Sequence, residues 1–201
     1  YLVEGAPDAM KMHSVGIDNV VATLGGNWTE KQFELVKKAA TNVCFINDAD
    51  PVPMGKRYGT GIGYVLRNGE LAMKQGLNVT VRELPCKEGN LKQDPGDFFT
   101  TSARLNELKE EDFVTWAAQK IIDKDAPSDR LSAALKQVAT LASYVVDDTL
   151  LEMLIDGLNK IRRGKEFWRG LIQKVRWDRE KTDKRKNGEI DLREYGFYKE
   201  A

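Results

Sequence analysis

Short apolar runs alternate with amphipathic segments along the first half of the chain. The apolar runs predict four strands, at residues 1–3, 19–23, 43–46 and 78–84. The segments between them predict three helices, at residues 8–15, from Thr29 onward, and 62–75. The third strand is apolar throughout, as expected for a central strand of a parallel sheet. The order β-α-β-α-β-α-β predicts an α/β fold with a small parallel sheet and right-handed crossovers.

Local signals support the positions of these helices. Thr29 is followed three residues later by Gln32, which is the pattern of a capping box at a helix start. Gly16 and Gly76 stand directly after the first and third predicted helices, where glycine commonly ends a helix.

The second half has a different pattern. Its apolar residues recur at helical spacing, and strands are not predicted except near the very end. Helices are predicted over 112–124, from Ser128, from Asp147 or Asp148, and over 167–179. The domain boundaries we predict are 1–105 for the α/β domain, 106–186 for an all-helical subdomain, and 187–201 for a tail or a linker.

Composition narrows the class of protein. The 201 residues are 41% hydrophobic and 31% charged, which suits one mid-sized globular unit. No apolar run reaches the about 18 residues of a membrane span, and no secretory signal is found, so we expect a cytoplasmic protein without membrane contact. Two cysteines and one histidine cannot supply a conventional structural zinc site. Because the chain starts at Tyr1 inside a predicted strand, we expect a fragment of a longer polypeptide.

The net charge of zero conceals a basic segment. Residues 160–186 carry 12 basic and four acidic residues, which is typical of a surface that binds a polyanion. Trp168 and Trp177 lie within it, so this segment is a candidate for stacking and phosphate contacts with single strands. The candidate cations are Arg162, Arg163, Arg169, Lys174 and Arg176. A solvated helix face over buried tryptophans remains the alternative.

Acidic residues follow the predicted strands. Glu4 follows the first strand, Asp48 and Asp50 follow the third, and Asp94 lies about ten residues after the fourth. Neighbouring strands are about 4.8 Å apart, so these carboxylates are expected to crowd together. Such a cluster needs a cation, and oxygen ligands suit Mg²⁺ or Mn²⁺. The sequence therefore predicts a metal site of Glu4, Asp48, Asp50 and Asp94.

These motifs together resemble a known family. Glu4-Gly5-Ala6-Pro7-Asp8, then Ala22-Thr23-Leu24-Gly25-Gly26, then Asp48-Ala49-Asp50, and finally Leu84-Pro85 with Asp94-Pro95 are similar to a TOPRIM domain. Within that family they resemble the DNA primases of bacteria and phages or mobile elements. The similarity covers residues 1–99, and the helical half resembles the primase subdomain in pattern only.

The resemblance implies a function. Glu4, Asp48 and Asp50 match the residues that hold divalent cations, and through them the incoming nucleoside triphosphate, during primer synthesis on a single-stranded DNA template. Asp94 would add to the cluster, and Asp8 would cap or orient its helix. A replicative helicase is a further implied partner.

The sequence departs from the family after Asp50. The loop at 51–61 is longer than usual, and it brings Lys56 and Arg57 beside the expected metal site, where they are candidates for phosphate contact. Two other functions stay open at this point. One is a TOPRIM-type nuclease, and the other is a non-catalytic fragment that docks DNA or a helicase.

Overall fold

The computed structural model describes residues 1–162 and 164–186. Its strands are β1 (Leu2–Val3), β2 (Val21–Ala22), β3 (Asn42–Phe45), β4 (Asn78–Arg82) and β5 (Glu110–Asp112). Its α-helices are α1 (Ala6–Ser14), α2 (Glu30–Ala39), α3 (Thr60–Lys74), α4 (Pro95–Phe98), α5 (Phe113–Ile121), α6 (Ser128–Ala142), α7 (Asp148–Ile161) and α8 (Lys165–Lys186). Two short 3₁₀ helices span Glu88–Asn90 and Ser102–Glu107. None of the described helices is both long and apolar enough to cross a lipid bilayer.

The five strands form one sheet in the order β2-β1-β3-β4-β5. The first four strands are parallel, and β5 is antiparallel to β4. The predicted α/β class and its parallel sheet are thus confirmed. The expectation of a second half without strands before its very end is wrong, because β5 lies at 110–112 and completes the sheet.

Polar contacts between side chains hold β5 in place. Glu110 accepts hydrogen bonds from the hydroxyl of Thr80 at 2.7 Å and from the guanidinium of Arg82 at 2.8 Å. The strand reads Glu-Glu-Asp and carries no apolar residue, so apolar periodicity could not reveal it.

Alternating residues of the strands enter two different cores. Leu2, Val43 and Phe45 point to one face of the sheet, whereas Val3 and Cys44 point to the other. The second face is covered by α1 and α4. The first face is covered by α2 and α3, and its core continues without interruption through α5, α6 and α7 to Trp168 and Ile172 of α8. The helical half is therefore packed onto the sheet rather than tethered beside it.

Most helix starts follow the sequence signals. Thr29 and Gln32 form the predicted capping box of α2, and the Asp147 side chain caps α7 by accepting a hydrogen bond from the Leu150 amide at 2.8 Å. For α6 the N-cap is Pro127, so Ser128 is the first helical residue instead of the cap.

Candidate metal centre at the carboxyl edge of the sheet

The topology brings three acidic residues to one edge of the sheet. Glu4 follows β1, and Asp48 and Asp50 follow the neighbouring strand β3. In parallel sheets this edge, where the strands end and the helices begin, is the usual place for ligands. The charges of Asp48 and Asp50 both raise the pKa of Glu4, so the three carboxylates are near enough to repel one another.

Asp50 is fixed by the start of α3. Its Oδ2 accepts a hydrogen bond from the backbone amide of Gly61 at 2.8 Å. The approach depends on glycine, because a Cβ atom on Gly61 would lie 2.2 Å from the carbonyl oxygen of Asp48. A Cβ atom on Gly59 would likewise lie 2.5 Å from the carbonyl oxygen of Asp50. The glycine-rich helix start therefore lets the two aspartates lie directly against α3.

Asp48 is the most buried ligand candidate, with 9% of its side chain exposed. Its Oδ2 lies 2.6 Å from Nζ of Lys92, which is also 3.7 Å from Oδ1 of Asp50. Its Oδ1 is buried and has no hydrogen-bond partner. A buried carboxylate oxygen without a partner is costly, so this atom has a coordination position to offer.

Lys92 was not predicted from the sequence. Its loop is held against the Asp48-Ala49-Asp50 segment by an antiparallel bridge between Ala49 and Gln93, whose two backbone hydrogen bonds measure 2.8 and 3.1 Å. The hydrogen bond with Asp48 raises the pKa of Lys92. No periodicity in the sequence marks a contact of this kind, because it joins two loops that are more than 40 residues apart.

Asp8 has a structural role. Its Oδ2 accepts a hydrogen bond from the Gly5 amide at 3.1 Å, and its Oδ1 accepts one from the Gly96 amide at 2.9 Å. The expectation that it caps and orients its helix is confirmed. Burial raises the pKa of Asp8 despite these hydrogen bonds, and the charges of Asp48 and Asp94 act in the same direction.

Asp94 is the N-cap of α4. Its Oδ1 accepts a hydrogen bond from the Asp97 amide at 2.7 Å. Its charge raises the pKa of Asp8, and a Cβ atom on Gly96 would lie 3.0 Å from Oδ1 of Asp8 and 3.4 Å from Oδ1 of Asp94. The structure thus brings Asp94 to the margin of the acidic cluster, with one of its oxygens already engaged.

Glu4 has a raised pKa because of its surroundings. Partial burial raises the pKa of Glu4, the charges of Asp48 and Asp50 raise it further, and Lys92 opposes the shift. Neighbouring carboxylates of this kind favour a bound cation. The Thr23-Leu24-Gly25 turn lies beside it, where the Gly25 amide donates to the carbonyl oxygen of Glu4 at 3.2 Å and Leu24 adopts a left-handed conformation with φ of 65°.

The donors at this edge suit a divalent cation in their chemical type but not in their spacing. Among residues 1–162 and 164–186, no three Asp, Glu, His or Cys side chains are spaced, as they stand, to hold one ion. The ammonium group of Lys92 lies between Asp48 and Asp50, in the position that a cation would need. The donor set is nevertheless all oxygen, and Asp48 offers an unpartnered atom, so the chemistry fits a hard cation once the Lys92 ammonium moves aside.

The two basic residues of the long loop differ in their contacts. Arg57 donates hydrogen bonds to the carbonyl oxygens of Ile121, at 3.1 Å, and Ile122, and lies 3.9 Å from Asp123. It therefore pins the loop to the end of α5. The Lys56 side chain is exposed.

Most of the described candidate residues in the basic segment make contacts within the protein. Trp168 is fully buried and donates a hydrogen bond to the Arg162 carbonyl at 2.6 Å, so the expectation that it stacks on bases is wrong. Arg169 binds Glu152 and Glu166, and Arg176 donates to the Val145 carbonyl. Lys174 and Trp177 are exposed, while Arg163 and the predicted tail at 187–201 lie outside the described residues.

Comparison with known proteins supports the TOPRIM resemblance over the first half of the chain. The model of a family described as Toprim-like matches residues 1–99. Residues 1–99 form a Toprim-like domain.

Relatives of the Toprim-like domain extend the similarity into the helical half. A DNA primase of Listeria innocua serovar 6a is 28% identical over 169 residues, which cover 77% of this chain and 25% of that protein. A DNA primase domain from Pseudomonas aeruginosa has a similar fold, with a TM-score of 0.57 and 20% identity over 86% of this chain and 53% of that one. A DnaG primase catalytic domain bound to ssDNA has a TM-score of 0.53 and 24% identity over 80% and 50% of the two chains. The chain thus spans about a quarter of the length of the Listeria relative.

Proposed function

We propose that this chain is the metal-binding catalytic part of a DNA primase, which synthesises primers on single-stranded DNA. The observation that carries the proposal is the arrangement at Asp48. Its buried Oδ1 lacks a partner while Glu4 and Asp50 stand in the same cluster at the edge of a Toprim-like sheet. The similarity to DNA primases along both halves of the chain supports this assignment.

In this proposal Glu4, Asp48 and Asp50 hold Mg²⁺ or Mn²⁺. Cations held there would neutralise charge on the triphosphate while a 3′-hydroxyl, losing its proton to water, attacks the α-phosphate and displaces pyrophosphate. Asp50 is oriented by the Gly61 amide, and Asp48 is oriented by the segment that follows β3. Asp94 supports the site from the start of α4 and is not assigned as a ligand.

Lys92 holds the cluster together in the absence of metal. Its side chain is 53% exposed, so it can leave Asp48 for solvent at small cost. We infer that the cation and the Lys92 ammonium compete for Asp48 and Asp50.

Single-stranded DNA and nucleoside triphosphates are the proposed substrates. The primase catalytic domain with a similar fold that is bound to ssDNA makes this the natural expectation. Of the basic residues predicted for this task, Lys56 and Lys174 keep exposed side chains, whereas Arg57, Arg169 and Arg176 are engaged in internal contacts. A replicative helicase remains a proposed partner of the whole protein.

Calorimetry with Mn²⁺ tests the metal site. The chain should bind Mn²⁺ saturably, and Asp48→Asn/Asp50→Asn should abolish the heat. Asp97→Asn is the matched control, because Asp97 is a nearby exposed carboxylate that pairs with Lys87 and lies outside the cluster. Equal binding by the double variant would refute the ligand assignment.

Activity is tested in the full-length protein. Primer synthesis on a single-stranded template should require Glu4, Asp48 and Asp50 individually, since each supplies part of one ligand set. Undiminished synthesis by a Glu4→Gln, Asp48→Asn, Asp50→Asn variant would overturn the proposal, and metal-dependent cleavage of the strand would indicate a nuclease instead.

A further inference from the structure

A groove lies beside the acidic cluster, on the flank of α3. Its volume is about 420 Å³, within the range of roughly 300–1,000 Å³ that is usual for ligand pockets. The α3 residues that line it are Thr60, Gly63, Tyr64 and Arg67, which share one face of the helix at spacings of three and four. The opposite wall is the long loop, with Pro53, Lys56 and Tyr58, and Asn27 closes one end.

The groove begins where the acidic cluster ends. Gly59 lines it, and the same glycine packs so closely against Asp50 that an added Cβ would lie 2.9 Å from the Asp50 Cβ. A chain of nucleotides that reaches the cluster could therefore continue directly into the groove. The long loop at residues 51–61 flanks the opening.

Two cations border the groove. The Arg67 guanidinium donates a hydrogen bond to the Asn27 side-chain oxygen at 2.8 Å, and this partner is neutral. Within the described part of the chain, neither Lys56 nor Arg67 forms a salt bridge. Both side chains are exposed and line the groove, so each can meet a phosphate there.

Two tyrosines supply aromatic surface between these cations. Tyr64 packs on Gly26, where a Cβ atom would lie 2.2 Å from its ring, and this contact fixes the ring at the mouth of the groove. Tyr58 lies over Gly63, whose missing side chain leaves room at the floor. Aromatic rings between cations are the usual composition of surfaces that bind single strands, where bases stack and phosphates meet Lys or Arg.

We propose that this groove binds a nucleotide unit of single-stranded nucleic acid next to the metal centre, with phosphate at Lys56 and Arg67 and a base against Tyr58. The proposal deepens the function proposed above and rests on it for the identity of the strand. The binding step itself requires only the groove, so it can be measured without metal.

The test is fluorescence anisotropy with a short labelled oligothymidylate, performed in EDTA at several potassium chloride concentrations. Tyr58→Ala should weaken binding by about fivefold or more, and Tyr58→Trp should restore it, because a base stacks on either ring. Lys56→Gln should lower the slope of log affinity against log salt by about 0.7, the value for one phosphate contact on a single strand. The matched control, Lys136→Gln on α6, removes an exposed lysine far from the groove and should change neither quantity.

The outcomes separate this proposal from the metal assignment. Asp48→Asn/Asp50→Asn should bind the strand in EDTA at least as well as the parent, whatever its loss of Mn²⁺ binding. No binding by the parent, or equal binding and equal salt slopes for the groove variants, would overturn the proposal. A third outcome would also overturn it. If Tyr58→Ala and Lys56→Gln weakened the binding of a free nucleoside triphosphate but not of the strand, the groove would be a site for the free nucleotide.

Discussion

The ammonium group of Lys92 lies 2.6 Å from Oδ2 of Asp48 and forms the positive centre of an otherwise acidic site. Because Lys92 Nζ is also 3.7 Å from Oδ1 of Asp50, one positive charge serves both aspartates. It also makes the site responsive to cations, because the lysine side chain is half exposed while the aspartate is buried. The Lys92 ammonium group and a divalent cation from solution can therefore bind the same carboxylates, those of Asp48 and Asp50.

Replacing Lys92 with methionine should therefore destabilise the chain when divalent cations are absent. The loss should be about 1–2 kcal/mol, between the values for exposed and buried ion pairs, because the acidic cluster then has no counter-charge. Denaturant unfolding in EDTA measures this difference. Added Mn²⁺ should recover more stability in Lys92→Met than in the parent.

The matched control for this experiment is Lys87→Met. Lys87 belongs to the same loop region but pairs with the exposed Asp97, outside the cluster. It should lose little stability and should not gain extra dependence on Mn²⁺. If Mn²⁺ stabilised both variants and the parent equally, Lys92 would not compete with the cation.

Two glycines of α3 should respond in opposite ways to alanine. Gly61→Ala should cost about 2 kcal/mol or more, because its Cβ would lie 2.2 Å from the Asp48 carbonyl oxygen and the backbone must move. Gly63→Ala should stabilise by about 0.5–1 kcal/mol, because the nearest atom to its Cβ, on Tyr58, is 3.9 Å away and alanine favours the helix. Thermal unfolding of the two variants distinguishes these effects, and equal changes would contradict the close approach at Gly61.

The sequence was sufficient to predict the four parallel strands and the helices between them. Each parallel strand lies in a short apolar run, and capping residues mark helix starts, so local signals and tertiary packing agree. The order of the strands then implies which acidic residues share an edge. Glu4, Asp48 and Asp50 could be selected in this way because each lies within about five residues of the end of a strand.

Other features depend on contacts that leave no local pattern. Strand β5 is entirely acidic and is held by Thr80 and Arg82 of its neighbour. Lys92 reaches the site through a bridge between two loops. Trp168 has basic neighbours in sequence, yet it is buried because α8 packs into the core that begins at the sheet. Each of these needed the tertiary structure.

The Glu110 contact predicts a pH dependence of stability. The hydrogen bond from Thr80, together with Arg82, lowers the pKa of Glu110 in the folded chain. A carboxyl group with a lowered folded pKa contributes stability above its unfolded pKa of about 4.3 and loses it as the pH falls through the lower folded value. Glu110→Gln should thus cost up to about 1 kcal/mol at neutral pH, since the pair is partly exposed.

The cost of Glu110→Gln should shrink as the pH falls below the unfolded pKa of about 4.3, and it should be lost once the pH is below the lower pKa of the folded carboxyl group. Denaturant unfolding of parent and variant across this range measures it. Glu88→Gln, which removes an exposed carboxyl group from a 3₁₀ helix, serves as the control and should show no such trend. A constant difference between Glu110→Gln and the parent at all pH values would argue against a contribution from the ionised pair.

The two tryptophans of α8 should differ sharply in their effect on stability. Trp168 is fully buried in the core shared by the sheet and the helical half, so Trp168→Ala should cost about 3–5 kcal/mol. Trp177 is 56% exposed and stacks with Lys181, so Trp177→Ala should cost no more than about 1 kcal/mol. The denaturant midpoints of the two variants give the comparison.

Because one core joins both halves, Trp168→Ala should also lower the midpoint reported by a probe on the sheet, such as the reactivity of buried Cys44. Loss of helical structure with unchanged protection of Cys44 would mean that the two halves unfold independently.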